Sequence, residues 1–156
     1  MSGAGAPSLA VDGTGARVVI VASSWHTEVM DGLIAGAQAA LAESHVTDVT
    51  LVRAPGSFEL PIICQAYARK GFDAVIALGV IIRGGTPHFE YVSAAATDGL
   101  SRVALDTGVP VGFGLLTTDD DAQALDRSGL PGSREDKGRE AVEAALVTWN
   151  VLRALR

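Results

Sequence analysis

Short apolar runs alternate with longer amphipathic stretches along the chain, a pattern that predicts repeated β-α units. Four runs predict strands, at residues 18–22, 49–54, 74–82 and 109–116. Five stretches predict helices, at residues 27–43, 61–69, 89–105, 120–127 and 135–155. Because strands joined in this way form a parallel sheet that needs cover on both faces, we expect a three-layer α/β sandwich with a four-stranded sheet.

The apolar run at residues 74–82 is the most informative part of this pattern, since it reads as a strand buried on both faces. It leads directly into Arg83, two glycines, Thr86 and Pro87, and His88 follows where a helix is predicted to begin. The carboxyl ends of parallel strands and the N-termini of helices are where α/β sheets bind anionic ligands. We therefore expect a small phosphorylated substrate beside an acid/base group at this junction.

Several residues at the strand-to-helix junctions have two interpretations. Trp25 either stacks on a planar heterocycle or covers the start of the first helix. Ser57 and Glu59 either bind a polyol or an amine, or cap the next helix. Arg83 is either a surface charge or a phosphate clamp. His88 either packs locally or transfers protons, the chemistry that suits histidine near neutral pH.

Composition narrows the class of protein. The chain has 156 residues, of which 48% are hydrophobic and 19% charged, so we expect one domain with apolar surface buried against other subunits. The net charge of −6 argues against nucleic acid or an anionic membrane as a partner. Residues 1–16 lack the pattern of a signal peptide. We expect a flexible leader there, a single domain at residues 17–156 and a cytoplasmic location.

Other site types have little support in the sequence. The only cysteine, Cys64, falls on an apolar helix face, as expected for a small buried hydrophobe. His26, His45 and His88 are far apart and have no cysteine or second histidine nearby, so we expect no metal site. Neither the Gly-x-Gly-x-x-Gly motif after the first strand nor the Gly-x-x-x-x-Gly-Lys-Ser/Thr motif occurs, which disfavours dinucleotides and nucleoside triphosphates.

Five segments, in order along the chain, resemble motifs of the 6,7-dimethyl-8-ribityllumazine synthase family. The most specific runs from Ala77 to Val92, and its part from Arg83 onward is close to the family's Arg-Gly-x-Thr-x-His-Phe-Asp-Tyr-Val signature. The other segments are residues 55–61, 112–118, 123–129 and 136–138. The resemblance covers residues 17–155 and implies a flavodoxin-like three-layer sandwich with helices on both faces of a four-stranded parallel sheet.

The resemblance implies a transferase that condenses 5-amino-6-(D-ribitylamino)uracil with 3,4-dihydroxy-2-butanone 4-phosphate. The products are 6,7-dimethyl-8-ribityllumazine, phosphate and water, in the penultimate step of riboflavin biosynthesis, without a cofactor. Riboflavin synthase is then the pathway neighbour. The resemblance also implies a homopentamer with active sites at subunit interfaces, and the long hinge at residues 129–138 favours a free pentamer over a decamer or shell. The alternative is a non-catalytic module that binds a flavin or a phosphorylated metabolite.

The resemblance assigns the ring and the ribityl chain of the substrate to residues near the first three strands. Trp25 matches the aromatic position that stacks on the pyrimidine, and His88 matches the proposed proton-transfer residue. Ser57 and Glu59 match positions that hold the ribityl chain, and Phe58 between them belongs to the same substrate-binding segment. The strand-end backbone that faces the ring corresponds to Val80, Ile81 and Ile82.

The remaining roles concern the phosphate and the neighbouring subunit. Gly85, Thr86 and Arg127 match the phosphate subsite, with Arg127 supplied by the adjacent subunit. Phe113 matches a residue that the adjacent subunit places at the ring, and Lys137 matches a charged residue near the substrates.

Two positions differ from the family pattern. Glu90 stands where an aspartate is usual beside the histidine, and His26 stands where an asparagine is more usual.

Overall fold

The computed structural model describes residue 5 and residues 10–156 of the chain. Its four strands are β1 (Arg17–Ser23), β2 (Asp48–Ala54), β3 (Ala74–Ile82) and β4 (Val111–Thr118). Its helices are α1 (Thr27–Glu43), α2 (Leu60–Ala68), α3 (His88–Thr107), α4 (Asp121–Leu125) and α5 (Lys137–Arg153), and a short 3-10 turn, Ser57–Glu59, precedes α2. Among these residues, no helix has both the length and the apolarity that crossing a membrane requires.

The four strands form one parallel sheet in the order β2-β1-β3-β4, with helices on both faces. The side chains of alternate residues in β1 point to opposite faces of this sheet. Val18 and Ile20 pack with the core of α1 and α5, whereas Val19 and Val21 pack with the core of α2 and α3. Burial on both faces explains why the central strands are unbroken apolar runs. The predicted flavodoxin-like three-layer sandwich is confirmed.

The bounds of α1 and β3 match the prediction to the residue, whereas β4 begins two residues later than predicted. Val109 and Pro110 extend the apolar pattern but belong to the connection after α3. The carbonyl oxygen of Pro110 accepts a hydrogen bond from the Val75 N–H at 2.9 Å. Because proline has no N–H to continue the ladder, regular pairing starts at Val111.

Gly112 and Gly114 allow close packing within the chain itself. A glycine inside a strand often marks the close approach of a ligand or of another backbone. A Cβ atom at Gly112 would lie 2.5 Å from the carbonyl oxygen of Ala141 on α5, and one at Gly114 would overlap the side chain of Leu78 on β3. Their small size is therefore explained by the packing of α5 and β3 against β4.

The predicted leader, residues 1–16, lies partly outside the described residues. Its described end is attached to the domain. The Gly13 N–H donates to the carbonyl oxygen of Ser44 at 2.7 Å, and Asn150 Nδ2 donates to the carbonyl oxygen of Asp12 at 2.9 Å. Ala16 is buried. Residues 12–16 thus pack as part of the domain, immediately before β1.

Cys64 lies on α2 and is buried in the core that α2 shares with α3. Burial raises the pKa of its thiol to about 12, so the reactive thiolate is scarce at neutral pH. The interpretation of Cys64 as a small buried hydrophobe is confirmed.

The crossing of α1 and α5 depends on Gly138. A Cβ atom there would overlap the carbonyl oxygen of Leu33, which is backbone and cannot rotate away. We expect Gly138→Ala to lower the free energy of unfolding by about 3 kcal/mol, through overpacking of this contact. Urea unfolding followed by circular dichroism, at one fixed protein concentration, measures the change.

Gly84→Ala is the matched control for this substitution, because a Cβ at Gly84 meets nothing within 4 Å. Its unfolding free energy should change by less than about 1 kcal/mol. Equal stability of Gly138→Ala and Gly84→Ala would contradict the tight crossing of α1 and α5.

Candidate active site

A cavity of about 860 Å³ opens at the carboxyl ends of β1, β2 and β3. Its walls are the loop between β1 and α1, the 3-10 turn before α2, the end of β3 and the first turns of α3. Ligands of open parallel sheets bind at this edge, and the volume suits a small molecule. The cavity is therefore the candidate active site.

The loop that carries Trp25 is fixed by hydrogen bonds to the end of β2. Ser24 Oγ donates to the carbonyl oxygen of Ala54 at 2.8 Å, and Arg53 Nη2 donates to the carbonyl oxygen of Ser23 at 2.8 Å. These bonds hold the turn in which Trp25 lines the cavity with 66% of its surface exposed. An indole so exposed contributes little cover to the start of α1, and its face is available for stacking on a ligand in the cavity.

His26, which also lines the cavity, adopts a left-handed backbone conformation with φ 57° and ψ 64°. Among residues other than glycine, asparagine, aspartate and histidine tolerate this region best. The requirement accounts for a histidine at a position where an asparagine is more usual. Its ring lies 6.5 Å from that of Trp25, centroid to centroid.

The 3-10 turn places Ser57, Phe58 and Glu59 along a second wall. Ser57 is buried, Glu59 is half-buried, and Phe58 is 64% exposed at the rim. The turn sits close to β3 because position 79 is glycine, where a Cβ would lie 2.8 Å from Ser57 Oγ. The interpretation of Ser57 as a helix cap is wrong, because Glu59 is the N-cap residue of α2 and makes no side-chain capping bond.

The end of β3 and the start of α3 complete the cavity. The strand contributes an apolar floor of Val80, Ile81 and Ile82. His88 is the first residue of α3 and is exposed at the cavity wall. An imidazole thus faces an apolar floor, with an indole and a carboxylate on the other walls.

Three further residues of α3 line the cavity and were not predicted from the sequence. Tyr91, Val92 and Ala95 follow His88 at spacings of three, four and seven residues, so all four share one face of the helix. Tyr91 is 74% exposed. The helical spacing from His88 was the signal that could have identified them.

The cavity does not include every predicted site residue. Gly85 and Thr86 lie in the exposed loop directly before His88 but outside the lining. Phe113, on the edge strand β4, is half exposed and lines a separate groove of about 290 Å³ beside α3. Arg127 and Lys137 lie beyond α4 and are likewise outside the cavity.

Arg127 and Lys137 are held side by side, because the Lys137 N–H donates to the carbonyl oxygen of Arg127 at 3.0 Å. The Glu135 carboxylate bridges them, 3.4 Å from Arg127 Nε and 3.3 Å from Lys137 Nζ. Lys137 Nζ also lies 2.7 Å from Glu140 Oε2. Burial opposes the charge on Lys137, but its bonds to Glu140 and Glu135 outweigh burial and raise its pKa. The ammonium is charged at neutral pH, although only 13% of the Lys137 side chain is exposed to solvent.

The fold and the cavity define an α/β protein with a small-molecule site at the carboxyl edge of its sheet. Residues 15–153 match the family model described as 6,7-dimethyl-8-ribityllumazine synthase. The chain belongs to the 6,7-dimethyl-8-ribityllumazine synthase family, as its motifs predicted, and is a transferase enzyme of riboflavin biosynthesis.

Curated relatives match from end to end, and each of the following is named 6,7-dimethyl-8-ribityllumazine synthase. The relative from Leifsonia xyli subsp. xyli (strain CTCB07) is 67% identical, over 100% of this chain and 99% of its own. That from Kineococcus radiotolerans is 63% identical, over 99% and 96%. That from Streptomyces coelicolor is 56% identical, over 99% and 97%.

Proposed function

We propose that the protein condenses 5-amino-6-(D-ribitylamino)uracil with 3,4-dihydroxy-2-butanone 4-phosphate. The reaction releases 6,7-dimethyl-8-ribityllumazine, phosphate and water. The observation that carries this proposal is the cavity in which Trp25, Glu59 and His88 meet at the carboxyl edge of the sheet. The match of residues 15–153 to the family supports it.

The cavity suits the pyrimidine substrate. Trp25 offers an exposed indole face for stacking, and the floor of residues 80–82 is apolar. Ser57 and Glu59 provide a hydroxyl and a carboxylate on the adjoining wall, where they accept hydrogen bonds from the ribityl hydroxyls. A mostly apolar pocket with a few polar groups that fix orientation is the usual design of a small-molecule site.

The loop before α3 suits the phosphorylated substrate. Gly85 and Thr86 precede the N-terminus of a long helix, where backbone N–H groups and the helix dipole favour an anion. His88, at the same helix end, transfers protons as the amine adds to the ketone and as phosphate leaves. Holding the two substrates together supplies much of the remaining rate.

A neighbouring copy of the chain completes the site. Phe113 lies on edge strand β4, and Arg127 and Lys137 lie beyond α4; all three are outside the cavity. In a closed ring, the β4 side of one subunit meets the cavity of the next, which brings these residues to the substrates. The exposed rim aromatics Trp25 and Phe58 are then covered by that neighbour.

We propose a homopentamer of this kind. Because the hinge at residues 129–138 is long, we propose that the pentamers stay separate and do not assemble into a shell. The cytoplasm is its proposed location, and the product passes to riboflavin synthase.

Mixing the purified protein with both substrates tests the proposal, because the lumazine product absorbs where the substrates do not. We expect absorbance and free phosphate to rise together, far faster than in the spontaneous reaction. No acceleration by a correctly assembled oligomer would contradict the proposed function. Tight flavin binding without acceleration would instead favour a non-catalytic binding module.

A further inference from the structure

The guanidinium of Arg83 is held by three neighbours at the end of β3. Its Nε lies 2.9 Å from Asp119 Oδ1, and its Nη1 lies 3.7 Å from Glu90 Oε1. Its Cζ lies 4.4 Å from the centroid of the Phe89 ring, within the range of a cation–π contact. Two carboxylates already balance this charge, and Arg83 is not part of the cavity lining. These contacts disfavour the interpretation of Arg83 as a phosphate clamp.

The contacts of Arg83 span the loop at residues 84–87. Arg83 precedes this loop, whereas Phe89 and Glu90 directly follow His88. The loop contains two glycines in open surroundings, which leave its backbone free to adopt many conformations. The N-cap residue of α3 is Pro87, whose side chain has no polar atom for capping. The Arg83 side chain therefore ties the first turn of α3, which carries His88, back to the end of β3.

Asp119 connects the same guanidinium to the segment that carries Arg127. The Asp119 N–H donates to Gln123 Oε1 at 2.8 Å, and Arg127 Nη1 donates to the carbonyl oxygen of Gln123 at 2.9 Å. The hydrogen bond from Arg83 lowers the pKa of Asp119, so its carboxylate is charged at neutral pH. A continuous series of contacts thus runs from the loop before His88 to the guanidinium of Arg127.

We propose that Arg83 and Asp119 form a positioning pair that serves the phosphate ends of two neighbouring active sites. The pair fixes the loop at residues 84–87 and His88 of its own subunit's site, and it also fixes the segment that carries Arg127, which acts in the site of the adjacent subunit. Neither residue touches a substrate. The proposal rests on the proposed function, in which Gly85, Thr86 and Arg127 bind phosphate. The pair also accounts for Glu90, whose carboxylate lies 3.7 Å from Arg83 Nη1.

Steady-state kinetics of Arg83→Gln and Asp119→Asn test the pair. We expect the KM for the butanone phosphate to rise about tenfold in each variant, with the KM for the pyrimidine within about twofold of wild type. The double variant should also show about a tenfold rise, because each single change already removes the shared contact. A hundredfold rise would mean that the two residues act independently and would overturn the pair.

Arg102→Gln and Asp106→Asn are matched controls, because this exposed pair has the same residue types, 3.6 Å apart on α3. Both controls should keep the KM values of wild type. Exposed pairs contribute little to global stability, so melting temperatures should stay close to wild type in all four variants. A selective rise in KM therefore reports positioning, not a folding defect.

Amide hydrogen exchange gives a readout that does not depend on activity. We expect residues 84–90 to exchange several-fold faster in Arg83→Gln and Asp119→Asn, and at the wild-type rate in the controls. Unchanged exchange and unchanged KM, in an enzyme that accelerates the condensation, would overturn the positioning pair alone. If the wild-type protein gave no acceleration, the proposed function would fail, and the exchange rates alone would decide whether the pair fixes the loop.

Discussion

Replacing Arg127 by alanine is expected to lower kcat/KM by about 10²–10³-fold. In the proposed ring, this guanidinium reaches the phosphate group in the neighbouring site. Its removal leaves the developing negative charge of the leaving phosphate without the fixed cation that the guanidinium supplies. It also leaves Glu135, 3.4 Å from Arg127 Nε, with one cation fewer, which adds repulsion toward the incoming anion. Initial rates with the butanone phosphate varied measure the loss.

Two further arginine variants make this result specific. Arg127→Lys keeps the charge but loses the fork of donors, so its kcat/KM should fall between those of wild type and Arg127→Ala. Arg134→Ala removes an arginine of the adjoining hinge at residues 129–138, whose side chain is 84% exposed and pairs with Asp126, and it should leave kcat/KM unchanged. An Arg127→Ala enzyme as active as wild type would exclude Arg127 from the phosphate subsite.

Replacing His88 by alanine is expected to lower kcat about 10²-fold and to leave both KM values within about twofold. His88 begins α3 at the cavity wall, where proton transfer to and from the reacting amine and carbonyl is required. Since substrate binding rests on Trp25, on Glu59 and on the phosphate loop, the loss should fall on the chemical step. Stopped-flow absorbance of product formation measures it directly.

Added imidazole should restore part of the rate of His88→Ala, because the deleted side chain leaves space at the wall of an open cavity. His45→Ala is the control for loss of a histidine, since His45 lies in the exposed turn after α1 and outside the cavity. Its kcat should equal that of wild type. A His88→Ala enzyme with wild-type kcat would remove His88 from proton transfer.

Features that depend on a local pattern were predictable from the sequence. The bounds of α1 and β3 follow from the period and length of their apolar runs. The cavity at the carboxyl edge follows from the rule for parallel sheets, and it collects Trp25, Ser57, Glu59 and His88 as expected. The later start of β4 depends on the missing N–H of Pro110. A prediction based only on which residues are apolar does not take this into account.

Contacts between distant segments were not predictable from the sequence. The ion pair of Arg83 with Asp119 joins residues 36 positions apart. The bridge of Glu135 between Arg127 and Lys137 depends on how the hinge folds back, which the order of charges along the chain does not reveal. Gly112 likewise required the position of α5 to explain it.

The central claim is that His88 of one subunit and Arg127 of its neighbour act on the same substrates. The direct test is to unfold His88→Ala and Arg127→Ala, mix them in equal amounts, and reassemble them into rings whose size is verified. Random mixing places an intact His88 opposite an intact Arg127 at about a quarter of the interfaces. The account predicts recovery of about a quarter of the wild-type activity, with almost none in either variant reassembled alone. No recovery in the mixed rings would contradict a site shared between neighbouring subunits.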